Sequence, residues 1–141
     1  MNKLKYLTLA FAFCTLSLLN IQQAQAKKRP VPQIYMFGFS ASFNDSIIYI
    51  TDIQAVDSAW VEEKTNFLQN RNLYSQQLQD YLSASMQPNR VCIVIYALKR
   101  EEAEKKYLKM RRLYTSKANA PYDVRYLTEN EFRFKPVHNY D

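Results

Sequence analysis

Arg90-Val-Cys-Ile-Val-Ile-Tyr-Ala-Leu98 is the stretch on which the fold turns. From Val91 to Leu98 it carries no charge, no glycine and no proline, and Val91, Ile93, Val94 and Ile95 are β-branched. A short unbroken apolar run of this kind predicts a strand covered on both faces, in the middle of a sheet rather than at its edge. Strand is preferred over a buried helix because β-branching disfavours helix and Pro88-Asn89 supplies a turn just ahead.

Beyond this strand, Arg100 to about Lys117 predicts a helix. Ala103, Tyr107, Met110 and Tyr114 recur at helical spacing. Glu101, Glu102 and Glu104 stand early while Lys109, Arg111, Arg112 and Lys117 stand late, the order the helix dipole favours. Glu101 with Lys105 and Glu102 with Lys106 have the spacing of ion pairs along one helix face. Asn119-Ala-Pro121 then leads out, and Asp123-Val-Arg-Tyr-Leu127 alternates as a strand. For the end of the chain, a short edge strand over Phe132–Pro136 is preferred to a capped helical turn at Thr128–Glu131.

Before the apolar stretch, Gln33–Phe43 and Ser46–Ile53 are β-rich runs joined by Asn44-Asp45, which predicts a hairpin. A two-residue loop pairs Phe43 with Ser46, Ala41 with Ile48, Phe39 with Ile50 and Phe37 with Asp52. One face then gathers Phe37, Phe39, Ala41, Phe43, Ile48 and Ile50 as core. The other carries Gly38, Ser40 and Ser42, small enough to lie beneath a helix or line a groove. From Asp57 the pattern turns helical, with Asp57 as N-cap and Val56 and Val61 as a staple. A helix over 58–85 would be roughly 42 Å long at 1.5 Å per residue, so a break near Asn70-Arg71-Asn72 is expected. The sum is a small α+β or α/β domain over 33–137, with strands and helices in the order ββαβαβ, an optional last strand, and 91–98 at its centre. Lys27–Pro32 is expected to be a flexible lead-in and 138–141 a tail.

Arg90-Val-Cys-Ile-Val-Ile-Tyr, then Arg100-Glu-Glu-Ala-Glu-Lys, then Asp123-Val resembles one βαβ half of the SPOR domain. The resemblance covers residues 90–127. It implies an exported, ferredoxin-like module that binds the glycan strands of peptidoglycan, and it assigns no binding residue here.

The N-terminus points to the same compartment. Met-Asn-Lys-Leu-Lys, an apolar run of 14 residues from Tyr6 to Leu19, and Ala24-Gln25-Ala26 are the three parts of a cleaved secretory signal. The run is shorter than the roughly 20 residues a spanning helix needs. Cleavage after Ala26 leaves 115 residues with 17 basic and 13 acidic side chains, in the periplasm or outside the cell. Such a chain is long enough for one domain with one core. Only Cys92 then remains, so the core must stabilise the domain without an internal disulfide. Mid-strand, Cys92 is expected to be a small buried hydrophobe.

The sequence offers little chemistry. Gly38 is the sole glycine and His138 the sole histidine, which argues against phosphate loops, histidine triads and multi-histidine metal sites. No cofactor and no metal is expected. If the second and third strands are parallel, their C-terminal ends would gather Asp52, Asp57, Tyr96, Lys99 and Arg100 as a ligand-binding crevice. Charge supplies a second candidate. Residues 90–117 hold nine basic and three acidic side chains, whereas 45–80 hold two basic and six acidic. Lys105, Lys109, Arg111 and Arg112 could thus present a basic helix face to an anionic polymer, phospholipid headgroups or an acidic envelope protein. Nucleic acid is not expected for an exported domain without an aromatic–basic motif. The preferred reading is a non-catalytic exported binding module. The alternatives are a hydrolase using Asp52, Asp57 and Tyr96, and an assembly subunit joined through the edge of Tyr35–Phe43.

Overall fold

The computed structural model describes residues 3, 26–116 and 121–138. The proposed leader and its cleavage site lie almost wholly outside the described residues. Strand β1 (Lys28–Ala41) is the axis of a five-stranded mixed sheet. It is followed by β2 (Ile47–Thr51), β3 (Gln54–Glu62), helix α1 (Arg71–Ala84), β4 (Val91–Ala97), helix α2 (Arg100–Thr115) and β5 (Asp123–Leu127). The class is α+β. β1 pairs antiparallel with β4 along one edge, while Tyr35 and Met36 face β3, and Phe39 and Ser40 face β2, on the other. β5 extends the sheet by pairing parallel with β2.

Of the four predicted hairpin pairs, Phe39 opposite Ile50 is in the β1–β2 ladder, whereas Phe43–Ser46, Ala41–Ile48 and Phe37–Asp52 are not. The loop is longer than two residues because β1 ends at Ala41, and Phe43, expected in the core, is exposed. Between Phe39↔Ile50 and Met36↔Gln54 the register slips by one residue, a bulge at Asp52-Ile53. There the Gly38 N–H donates to Thr51 Oγ1 at 2.8 Å. A Cβ on Gly38 would stand 2.6 Å from Leu78 Cδ2 and 3.2 Å from both Phe134 Cζ and Thr51 Cγ2. Gly38 therefore does lie beneath a helix, α1, whereas Ser40 meets Arg90 and Cys92 instead.

Four expectations are corrected. Residues 91–97 do form a strand, but it lies at the rim, where Val91 and Ile93 are exposed. Three of the carbonyls on its open side are taken by side chains: Arg90 O by Gln79 at 3.4 Å, Val94 O by Arg71 at 2.8 Å, Tyr96 O by Lys106 at 2.8 Å. An apolar strand can thus stand at an edge with part of that edge closed to another chain. The lead-in is not loose, because Lys28–Val31 pair with β3. Pro30 and Pro32, having no N–H, suit the half of β1 that extends past β4. Residues 54–62 are strand, not helix. Ser58, opposite Pro32, has φ 57°, and the buried set passes from Gln54 and Val56 to Ala59 and Val61. That switch of phase puts Val56 and Ala59 three apart, which imitates helical spacing. Phe132–Pro136 is not a strand. Glu131 accepts from the Thr128 N–H at 2.8 Å and from its hydroxyl at 3.2 Å, closing the capped turn.

Each face of the sheet has its own core. α1 presses Tyr74, Leu78 and Leu82 onto Ile34, Met36, Val56 and Val94, with Phe132 and Phe134 beside them. The terminal segment is held there by Gln54, whose amide donates to Phe132 O at 2.8 Å and accepts from the Phe134 N–H at 2.7 Å. On the opposite face α2 covers Phe37, Phe39, Ile48 and Ile50, with Tyr107 edge-on to Phe37 at 5.2 Å. Arg90 ties the β1–β2 loop to β4. It bonds Ser40 Oγ at 3.1 Å, Asp45 at 3.1 Å and the Ile47 carbonyl, and its guanidinium lies 5.0 Å from the Tyr49 ring centre.

Two stability predictions follow from these contacts. Gly38→Ala forces Leu78 aside in a filled core and should lower stability by about 1–3 kcal/mol, seen as a drop in Tm. α1 ends in a Schellman turn, with Gln87 N–H to Leu82 O at 2.8 Å and Met86 N–H to Ser83 O at 3.3 Å. Met86, at φ 66°, is exposed, so Met86→Gly should raise stability by about 0.5–1 kcal/mol.

Candidate functional site

Because β2 and β5 run parallel, their carboxyl ends open on the same side of the sheet. Asp52 follows β2, Glu129 comes from the turn after β5, and Arg100 and Tyr107 come from the first two turns of α2. Together with Ile53 they line a cleft of about 310 Å³. Of the five sequence candidates, the structure brings Asp52 and Arg100 together here. Asp57 lies on β3 and accepts from Gln33 Nε2 at 3.2 Å. Tyr96 is directed to the α1 side of β4, where its hydroxyl accepts from the Leu68 N–H at 3.0 Å. Lys99, exposed just before α2, is not part of the lining.

The charged groups of the cleft are already engaged. Asp52 Oδ2 accepts from the Glu129 N–H at 3.1 Å, Glu129 pairs with Arg133 at 2.8 Å, and Arg100 pairs with Glu104 at 3.3 Å. Burial pushes the Tyr107 phenol above its usual range, and Tyr126 and Asp52 act in the same direction against Arg111. Tyr107 is therefore a neutral hydrogen-bond donor at physiological pH. The arrangement suits holding a small polar molecule by hydrogen bonds. Among the described residues no group of His, Cys, Asp and Glu is placed to hold a metal ion. Glu129 escaped the sequence reading because nothing local in Thr128–Glu131 shows that the turn lands beside β2. Tyr107 was legible only as part of the core stripe.

The second surface is the outer face of α2. At 3.6 residues per turn, Lys105, Lys109 and Arg112 fall on one side, opposite Ala103, Tyr107 and Tyr114. All three are exposed and form no ion pair among the described residues. Leu108 and Leu113, about half-exposed, flank them. Arg111 leaves this group. It turns a third of the way round the helix towards β5, its guanidinium 5.8 Å from the Tyr126 ring centre. The expected Glu101–Lys105 and Glu102–Lys106 pairs do not form. Lys106 reaches the Tyr96 carbonyl instead, and Arg100–Glu104 is the pair along the helix.

Cys92 is half-buried on the rim strand, its thiol 3.4 Å from Ser40 Oγ. His138 is exposed, and no contact joins it to the thiol.

Comparison with known proteins gives no match: no family model, no curated protein and no solved structure is similar to this chain. Among the described residues no helix is long and apolar enough to cross a membrane.

Burial raises the Cys92 pKa, outweighing Ser40 and Arg90, which act to lower it. A raised pKa means less thiolate at a given pH. Alkylation by iodoacetamide at pH 8 should therefore be slower than for an unstructured peptide thiol, and should still be climbing where the peptide's rate has levelled off. Rates equal to the peptide's would contradict this placement of the thiol.

Proposed function

We propose that this domain is a small exported module of the cell envelope that binds its ligand without converting it, and that the outer face of α2 is its contact with an anionic polymer or headgroup layer. The observation that carries this reading is the set Lys105, Lys109 and Arg112. These three cations share one exposed face and are neutralised by no carboxylate among the described residues. The flanking Leu108 and Leu113 add apolar surface of the kind that helps a basic helix rest on a charged layer. The basic start, short apolar run and Ala24-Gln25-Ala26 support export. The likeness of residues 90–127 to half of a SPOR domain makes peptidoglycan fragments the first polymer to try.

A basic cluster near an anionic layer contributes about 1 kcal/mol per Lys or Arg, and salt weakens it. Cosedimentation with peptidoglycan fragments and with vesicles rich in anionic headgroups should therefore weaken steeply as salt rises. Changing Lys105, Lys109 and Arg112 together to Ala should reduce binding about a hundredfold at low salt with Tm unchanged. Binding that ignores both salt and this triple change would reject the α2 face.

A second reading is favoured by the convergence of Asp52, Arg100, Tyr107 and Glu129: a cleft for a small polar ligand, hydrolytic or not.

A further inference from the structure

We infer that two copies of this chain pair through the outer edge of β5, antiparallel and symmetric about Val124. The Asp123 N–H donates to Ser46 O at 2.9 Å, and Leu127 O accepts from the Asp52 N–H at 3.0 Å. Alternate residues of β5 therefore turn their backbone groups to β2, while those of Val124 and Tyr126 turn outward. No hydrogen bond to them is made among the described residues. The sheet's other long edges are guarded in part. At the outer side of β3, the Glu62 N–H donates to Phe67 O and Trp60 O accepts from the Gln69 N–H, both at 2.8 Å. β4 has its carbonyls at 90, 94 and 96 taken by Gln79, Arg71 and Lys106. The overhanging half of β1 carries Pro30 and Pro32.

The occupant follows from the sequence at that edge. Tyr122-Asp-Val-Arg-Tyr126 is self-complementary when laid antiparallel on itself. With Val124 opposite Val124 of the second copy, the two residues exchange both N–H···O bonds, as their outward direction requires. Asp123 then faces Arg125 of the other copy and Arg125 faces its Asp123. Within one strand these residues already pair at 2.9 Å, both exposed, so the four charges alternate in sign around a ring. Tyr122 and Tyr126, each exposed on the α2 side, face one another across the axis as aromatic pairs. Shifting the register by two residues would set Arg125 against Arg125, so charge selects the axis at Val124. Both helices pack mainly on β1 and β4, and α2 reaches β5 through side chains, Tyr114 on Tyr122 at 5.0 Å and Arg111 on Tyr126 at 5.8 Å, which leaves the backbone edge of β5 open to a two-fold contact. This pairing is independent of what α2 binds.

Sedimentation velocity tests it on protein purified from cells expressing the full chain, between about 10 µM and 1 mM. A monomer–dimer equilibrium is expected. Val124→Pro, which removes an outward N–H and none from the β2 ladder, should abolish the dimer. Because its side chain is part of the core, the charge variants give a separate reading. Asp123→Arg should weaken the dimer about tenfold, and Asp123→Arg with Arg125→Asp should restore it. A protein that stays monomeric throughout overturns the inference. So does a dimer indifferent to these changes, or a double swap as weak as the single.

Discussion

A strand has two edges and two faces, and β1 uses all four. Residues 35–36 and 39–40 are paired on both sides at once. Phe37 and Phe39 enter one core while Ile34 and Met36 enter the other. Burying Phe37, Ile34 and Met36 completely contributes about 1.5–3 kcal/mol each. That is of the same size as the whole net stability of a small domain, about 5–15 kcal/mol. Every other element is placed by reference to β1. β2 and β3 are one long partner strand broken by a bulge, and α1 approaches closely only because position 38 has no side chain.

The local patterns were legible where a single period held. The Phe39–Ile50 register followed from alternation and the Asn44-Asp45 turn, the α2 stripe from its spacing, and both β4 and β5 from their strand-forming residues. What failed was the ranking of strands. An apolar run signals shielding, and β4 is shielded partly by the long polar side chains of Gln79, Arg71 and Lys106 bonding its edge. Those residues lie far off in sequence, so the run alone resembles a central strand. The true centre begins Lys28-Arg-Pro-Val-Pro, charged and proline-broken, because that half needs hydrogen bonds on one side only. β3 was lost to the Ser58 kink. The candidate cleft was half legible. Asp52 and Arg100 follow from the rule that ligands gather at strand carboxyl ends, although the parallel pair is β2 with β5. Glu129 reaches the cleft through a tertiary path that no local signal encodes.

Arg90 shows how a charge comes to be buried in so small a protein. Its side chain is 1% exposed, and three of its nitrogens are used against Ser40, Asp45 and Ile47. A lysine offers a point charge and no fork, so it could not replace those contacts at their separate positions. The burial is tolerable because Asp45 is still partly open to water at 37%, which limits the desolvation cost on the anion. The loop it fixes carries β1 into β2, and therefore carries the register on which β5 is later laid.

The two helices divide the work of the domain. α1 seals its face with Tyr74, Leu78 and Leu82 fully buried, and the terminal segment closes around it through Gln54 and Gln77. α2 has Ala103 alone fully buried and sits on ring contacts, Tyr107 on Phe37 and Tyr114 on Phe39. A helix seated by ring edges keeps more of its circumference in water, and on α2 that circumference carries Lys105, Lys109 and Arg112, unpaired among the described residues. Arg71 and Asp80 show that α1 also carries charge on its exposed side, but more of the surface of α2 is open to water. The helix seated on Phe37 and Phe39 is therefore the one whose outer face the packing of the sheet leaves most open.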